Sequence, residues 1–501
     1  KSVILRKLGS YEAAITFSKE TMKLDIADFG AYREQALSLD ALGLRDDAKT
    51  VFEELEKWMR GDVHNYIAVA SDYAAAGLYE DAACMLEEAP EQAKTYPMLY
   101  YVQAFCHAKI GKHKQANNAL AQAAAAVPDY CFPNSLLELD VLQFAIRTRP
   151  EDDKAHYYLG NLLYDKKRYM DAISSWETSR SIDDTYPVVH RNLALGYFNK
   201  QGRVEKARQS LEQAFACNTS DARVLYELDQ LYKKLNIKPN DRLNLMESYP
   251  GIIKLRDDLF LEYVTVHNMM KQHKVALSLL TGRIFHPWEG GEGKVTGQYR
   301  LAKVELAKSD LRSGRIEQAV QGLREALVYP ENLGEGKLEG SQDNDIYYYL
   351  GCAYELLKLT DEARQAFSTA SQGLGEPINA MYYNDQQPDM IFYQGLAWQK
   401  LGNVKEGNRR FHKLIDYAER HLFEPVKMDY FAVSLPDFLI FEDDLNIRNQ
   451  VHCTYMKALG LLGLGRQDEA ILHFELVLKL EANHQGALNH MDWDWNGGRI
   501  K

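Results

Sequence analysis

The residues with most to offer a ligand fall in one short stretch, His286-Pro287-Trp288-Glu289-Gly290-Gly291-Glu292-Gly293. Its three glycines let the backbone turn tightly and approach a bound molecule. An indole beside His286, Glu289 and Glu292 suits a sugar, whose C–H face stacks on the ring while its hydroxyls bond the acids. It suits a cationic group equally well. Three further clusters follow: Asp343, Asn344 and Asp345; Tyr382, Tyr383, Asn384 and Asp385; and Tyr430, Asp437, Glu442, Asp443 and Asp444. Each lies between consecutive helical patterns, so the spacing predicts that they gather at one end or on one face. The plain alternative is that Trp288 lies as a lid on the preceding helix pair and the acids are solvated. Glycoside hydrolysis needs two carboxyl groups about 5–10 Å apart. Glu289, Glu292 and Asp437 are of the right type, but no motif with fixed roles joins them. A catalytic site is therefore the alternative here, and binding the leading expectation.

Other chemistry is excluded more simply. The Gly290-Gly291-Glu292-Gly293 run lacks the lysine and the preceding strand of a phosphate loop. His484 and His490 near Asp492 have no metal-ligand spacing, and no cofactor is expected. The cysteines Cys84, Cys106, Cys131, Cys217, Cys352 and Cys453 form no C-x-x-C pair, and inside helical patterns they serve as small core hydrophobes. That usage suits a reducing, cytoplasmic compartment. A net charge of −12 disfavours a nucleic-acid partner, which needs a concentrated basic face. No apolar run is long enough for a membrane span.

The elements that must position these residues announce themselves by period. Leu8-Gly9, Leu42-Gly43, Ala76-Gly77 and Ile110-Gly111 recur every 34 positions, and Ala14, Ala48, Ala82 and Ala116 keep the same step. A glycine ends the first helix of a pair in a backbone conformation other residues resist. An alanine lets the second helix approach its partner closely. Neither helix buries its apolar face alone, so neighbours stack into an array. Asn134–Arg149 is expected as one extra helix, capped by Asn134 or Ser135 and ended by Pro150. Asp221–Leu235 and Asp241–Met246 are expected as a degenerate pair. Alanines at Ala172, Ala207, Ala276, Ala319, Ala363 and Ala470, with Gly407 in an equivalent place, continue the register while connections lengthen. Three blocks result: 1–128, regular; 129–250, with the extra helix and the degenerate pair; and 251–501, with long loops. The chain opens at Lys1–Leu8 already near the end of a first helix, so the array is expected to continue upstream or to abut another domain.

The stretch Tyr157-Tyr158-Leu159-Gly160-Asn161-Leu162-Leu163-Tyr164, followed by Tyr169-Met170-Asp171-Ala172-Ile173 and Trp176, resembles the tetratricopeptide repeat family. The resemblance implies an all-α, right-handed α-solenoid of helix-turn-helix repeats and a protein or peptide partner. It also implies an inner groove lined by Arg33, Tyr101, Phe105, Tyr157, Asn161, Tyr164, Arg191, Asn192, Tyr348, Phe392 and Tyr455. Asn161 and Asn192 stand where family members grip an extended peptide backbone, an amide offering both donor and acceptor. The alternative is that both serve polar contacts between repeats. A lysine expected one turn before Asn161 is Tyr157, which argues against a clamp for a terminal carboxylate.

The loop around Trp288, Asp343-Asn344-Asp345-Ile346-Tyr347-Tyr348-Tyr349-Leu350-Gly351, and the Tyr430-Phe431 insertion through Asn446 also resemble the repeat-rich C-terminal part of large bacterial glycan-associated proteins. Those carry an N-terminal β-sandwich of the sugar-mutarotase type. This second resemblance implies a glycan or an upstream β-sandwich domain as partner. The leading expectation is a non-catalytic scaffold; the alternative is a component of a carbohydrate-active enzyme.

Overall fold

The computed structural model describes residues 1–338, 340–379, 385–426 and 440–493, and every regular element among them is a helix. The chain forms two compact units, residues 1–196 and 197–501. The division falls inside helix Pro187–Gln201. The three blocks drawn from spacing concern register, a different property from compactness.

The first unit is an α-solenoid of hairpins, for example Phe29–Ala41 with Arg45–Met59 and Pro97–Lys109 with His113–Ala125. Gly9, Gly43, Gly77 and Gly111 sit at four matching bends with φ of +76, +77, +77 and +76°. A Cβ at any of them would meet nothing within 4 Å. Backbone conformation alone therefore demands glycine there. Gly160 is different: it lies inside helix Asp153–Asp165, and a Cβ would come 2.4 Å from Trp176, so it supplies room. The alanines Ala14, Ala48, Ala82, Ala116 and Ala172 are all buried, as close helix approach requires. The extra helix is Leu136–Thr148, capped by Ser135 in a reciprocal box with Glu138. Its Phe144 ring meets Phe105 edge-on at 5.7 Å.

The second unit repeats the scheme through hairpins such as Asp257–Met269 with His273–Thr281, Asn344–Leu356 with Thr360–Ala370, and Leu445–Gly463 with Gln467–Leu480. The expected degenerate pair is Ala222–Lys234 with Pro239–Glu247. This unit closes on itself. Asn236 donates to Leu480 O at 2.9 Å and accepts from Ala482 N at 3.1 Å. The Asn483 amide donates to Ile237 O at 3.0 Å and accepts from the fully buried Arg242 at 2.8 Å. Arg242 also forks onto Asp229 at 2.8 and 2.7 Å and reaches Glu262 at 3.0 Å. A buried guanidinium needs that much anionic company.

Candidate functional site

The expected inner-face residues separate by what already holds them. In the first unit Arg33 is buried and forks onto Glu88. The Tyr101 hydroxyl donates to the buried Asp152 at 3.1 and 3.0 Å, and Asp152 caps helix Asp153–Asp165 through Ala155 N. Phe105 packs edge-on against Tyr79 at 6.1 Å as well as Phe144. These three are committed to the array itself.

Around Asn161 the arrangement is more open. Its Oδ1 accepts from Trp176 Nε1 at 3.0 Å and from Asn192 Nδ2 at 3.0 Å, so one carbonyl joins a core indole to the next hairpin. The Tyr157 and Tyr186 rings meet edge-on at 5.1 Å. Burial is the main reason the Tyr157 phenol is pushed above its ordinary range. Arg191 is near enough to oppose that shift, and the Tyr164 ring lies 5.3 Å from Trp176. Asn161, Tyr164, Arg191 and Asn192 all remain partly exposed. Amides, a guanidinium and phenol rings thus share a face built from two consecutive first helices.

In the second unit Tyr348, Phe392 and Tyr455 are buried. Helix Gln485–His490 covers the last two: His490 bonds the Tyr455 hydroxyl at 3.1 Å and the Tyr393 hydroxyl at 3.3 Å, and Phe392 meets the His490 ring at 5.8 Å.

The loop candidates have definite places. Asp257 receives the His286 backbone N–H at 3.0 Å and lies 3.1 Å from its ring. Trp288 is folded onto its own loop, since a Cβ at Gly291 would lie 2.3 Å from the indole. Glu289 is exposed and Glu292 partly so. The first two long connections are stitched together: Phe285 N donates to Asn332 O at 2.8 Å, and Glu335 accepts Gly293 N at 3.1 and 3.0 Å. Asp343 precedes helix Asn344–Leu356 and bonds Lys337 at 2.6 Å. Asn344 donates to Ala370 O and Gln372 O, both at 2.7 Å, tying off the end of the following helix. Asp385 presents its carbonyl to Gln387 at 3.2 Å. Tyr382, Tyr383, Asn384, Tyr430 and Asp437 lie outside the described residues.

One group escaped the sequence reading. Arg300 donates to Asp345 at 2.6 Å, and burial, reinforced by Asp345, pushes the Asp389 carboxyl up to about 6 against the opposing pull of Arg300. Asp389 sits in the first turn of helix Pro388–Lys400, where an acid is ordinary, so no sequence signal set it apart. Thiol chemistry is remote at two of the buried cysteines. Burial pushes Cys106 and Cys131 up to about 12, which leaves little thiolate at neutral pH. Among the described residues no group of three or more His, Cys, Asp or Glu is placed to hold a metal, and no helix is long and apolar enough to cross a membrane.

Stacked helix hairpins define the class, a helical-repeat solenoid. The tetratricopeptide repeat family model matches residues 139–179 and 304–373, one stretch in each compact unit. Solved repeat proteins are similar. The tetratricopeptide domain of P58(IPK) is 15% identical over 75% of this chain and 98% of that one, with a TM-score of 0.23. A tetratricopeptide repeat protein from Parabacteroides merdae is 13% identical over 60% and 98%, with a TM-score of 0.27. YrrB, described as a repeat protein with an unusual peptide-binding site, is 18% identical over 42% and 95%, with a TM-score of 0.20.

Proposed function

We propose that the chain is a scaffold that holds an extended segment of a protein partner, and that the first unit does the holding through Asn161, Asn192, Arg191, Tyr157 and Tyr164. The observation that carries this reading is the Asn161–Asn192 amide pair at 3.0 Å, spanning two hairpins on a partly exposed face. An extended backbone presents alternating N–H and C=O groups, which side-chain amides match without reference to sequence. Arg191 adds a donor fork for a carboxylate or carbonyl. The second unit is the weaker host, its inner aromatics Phe392 and Tyr455 being covered by helix Gln485–His490. Peptides selected from a displayed random library test the reading. They should bind Arg191→Ala and Asn192→Ala variants at least tenfold more weakly, with melting temperatures nearly unchanged. Equal binding would refute it.

A second reading gives the long-loop end of the second unit a carbohydrate, or the β-sandwich of a larger bacterial glycan-associated protein, as its contact. Partly exposed Trp288 between exposed His286 and Glu289 favours it. A glycan array scored with the chain and with Trp288→Ala decides: signal in neither removes this reading. Turnover unchanged in Glu289→Gln, Glu292→Gln and Asp437→Asn would remove the associated enzymatic alternative.

A further inference from the structure

The residues from Ile440 to Asp444, bent at Ile440 and Phe441, cross back to the start of the second unit, some 240 positions earlier in the chain, and are held there through backbone and side chains alike. The Asn199 amide grips the backbone in both senses, donating to Ile440 O at 3.0 Å and accepting from Glu442 N at 2.9 Å. The Phe441 side chain between those two bonds is 2% exposed and meets the Phe198 ring edge-on at 5.1 Å. The next two residues are acids with a lysine each: Glu442 pairs with Lys200 and Asp443 with Lys234. Lys233 stands close enough to oppose the Lys234 charge, so this edge gains from an anion laid against it. Asp444 then caps the next helix through Asn446 N and Ile447 N.

Backbone grip, an aromatic slot and two cations in register amount to a built recognition site, independent of the face around Asn161. We infer that the edge formed by Phe198, Asn199, Lys200 and Lys234 is a docking site for a short aromatic-then-diacidic segment, occupied in this structure by the chain's own Phe441-Glu442-Asp443. A partner carrying an aromatic residue followed by two acids fits the same slot in trans. Backbone bonds set the register, the ring supplies buried area, and the lysines discriminate against basic or neutral sequences.

The test uses the full chain with Glu442→Lys and Asp443→Lys, which sets like charges against Lys200 and Lys234 and so dislodges the strap. A fluorescein-labelled peptide Ile-Phe-Glu-Asp-Asp-Leu is titrated against it by anisotropy. The double variant should bind at least tenfold tighter than the unmutated chain. Binding should be lost when the peptide phenylalanine is replaced by alanine, and should weaken about tenfold when Asn199→Ala is added to the protein. A variant with unchanged helical circular dichroism that binds a scrambled peptide equally, or is indifferent to Asn199→Ala, would overturn the inference. If the double variant loses helix, amide exchange decides instead. Asn199→Ala in the otherwise unmutated chain should speed exchange at Glu442 while helix Ala222–Lys234 keeps its protection, and no change at Glu442 would overturn the inference.

Discussion

Replacing Asn161 with alanine removes the acceptor shared by Trp176 Nε1 and Asn192 Nδ2. The two donors fare differently. Trp176 is 3% exposed, so its indole N–H is left without water, and an unsatisfied buried donor costs about 1–3 kcal/mol. The Asn192 amide is partly exposed and finds solvent, so its loss adds little. In a unit of 196 residues, about 2 kcal/mol corresponds to roughly 4–8 °C in melting temperature. Asn192→Ala, which leaves the indole bond intact, should cost about 0.5–1 kcal/mol. The assay is urea unfolding of both single variants, of Trp176→Phe, and of the Asn161→Ala/Trp176→Phe double. With the indole gone, Asn161→Ala should have little left to remove, giving a coupling of about 1–2 kcal/mol. Strict additivity, or equal losses for Asn161→Ala and Asn192→Ala, would refute this account of the shared carbonyl.

Other expectations follow from the same structure. Gly160→Ala drives a Cβ to 2.4 Å from Trp176 and should cost about 1–3 kcal/mol by overpacking, read in the same urea assay. Arg242→Met strips Asp229 and Glu262 of a buried partner and should cost the second unit about 3–5 kcal/mol, visible by calorimetry. Burial, with Lys308 adding, pulls His490 down to about 4 from 6.5. Between those values the unfolded chain binds the extra proton, so this group withdraws stability as pH falls from 6.5 toward 4, by about 2 kcal/mol at pH 5. Asp389, up at about 6 from 3.8, acts oppositely, since the folded state takes its proton first and gains stability as pH falls through 6. The change in stability between pH 7 and pH 5 should therefore shift in opposite directions in His490→Asn and Asp389→Asn, and a common direction would contradict the assignment.

The hairpin scheme was legible because two of its requirements are local. A left-handed bend selects Gly43 or Gly77, and close helix approach selects Ala48 or Ala82, each at a fixed step. Where the chain bends at Lys167, Lys271 and Lys358 with φ of +61, +59 and +62°, the glycine signal vanishes although the hairpin persists. Buried alanines Ala172, Ala276 and Ala363 kept the register readable there. The extra helix was visible through its cap, Ser135. Ring closure of the second unit was hidden, because Asn236, Arg242 and Asn483 are distant in sequence and unremarkable in type. The same holds for Asn344: its cluster of polar neighbours suggests ligand binding, while its amide is engaged by Ala370 O and Gln372 O. The strap was half visible. Glu442 and Asp443 stood out as acids, but nothing local pairs them with Lys200 and Lys234.

Amide exchange with and without a library-selected peptide tests the central claim most directly, because it maps where an extended partner is held. Slowed exchange in helices Asp153–Asp165 and Pro187–Gln201, lost in Arg191→Ala, is the predicted result. Protection confined to residues 285–293 and 331–337 would contradict it.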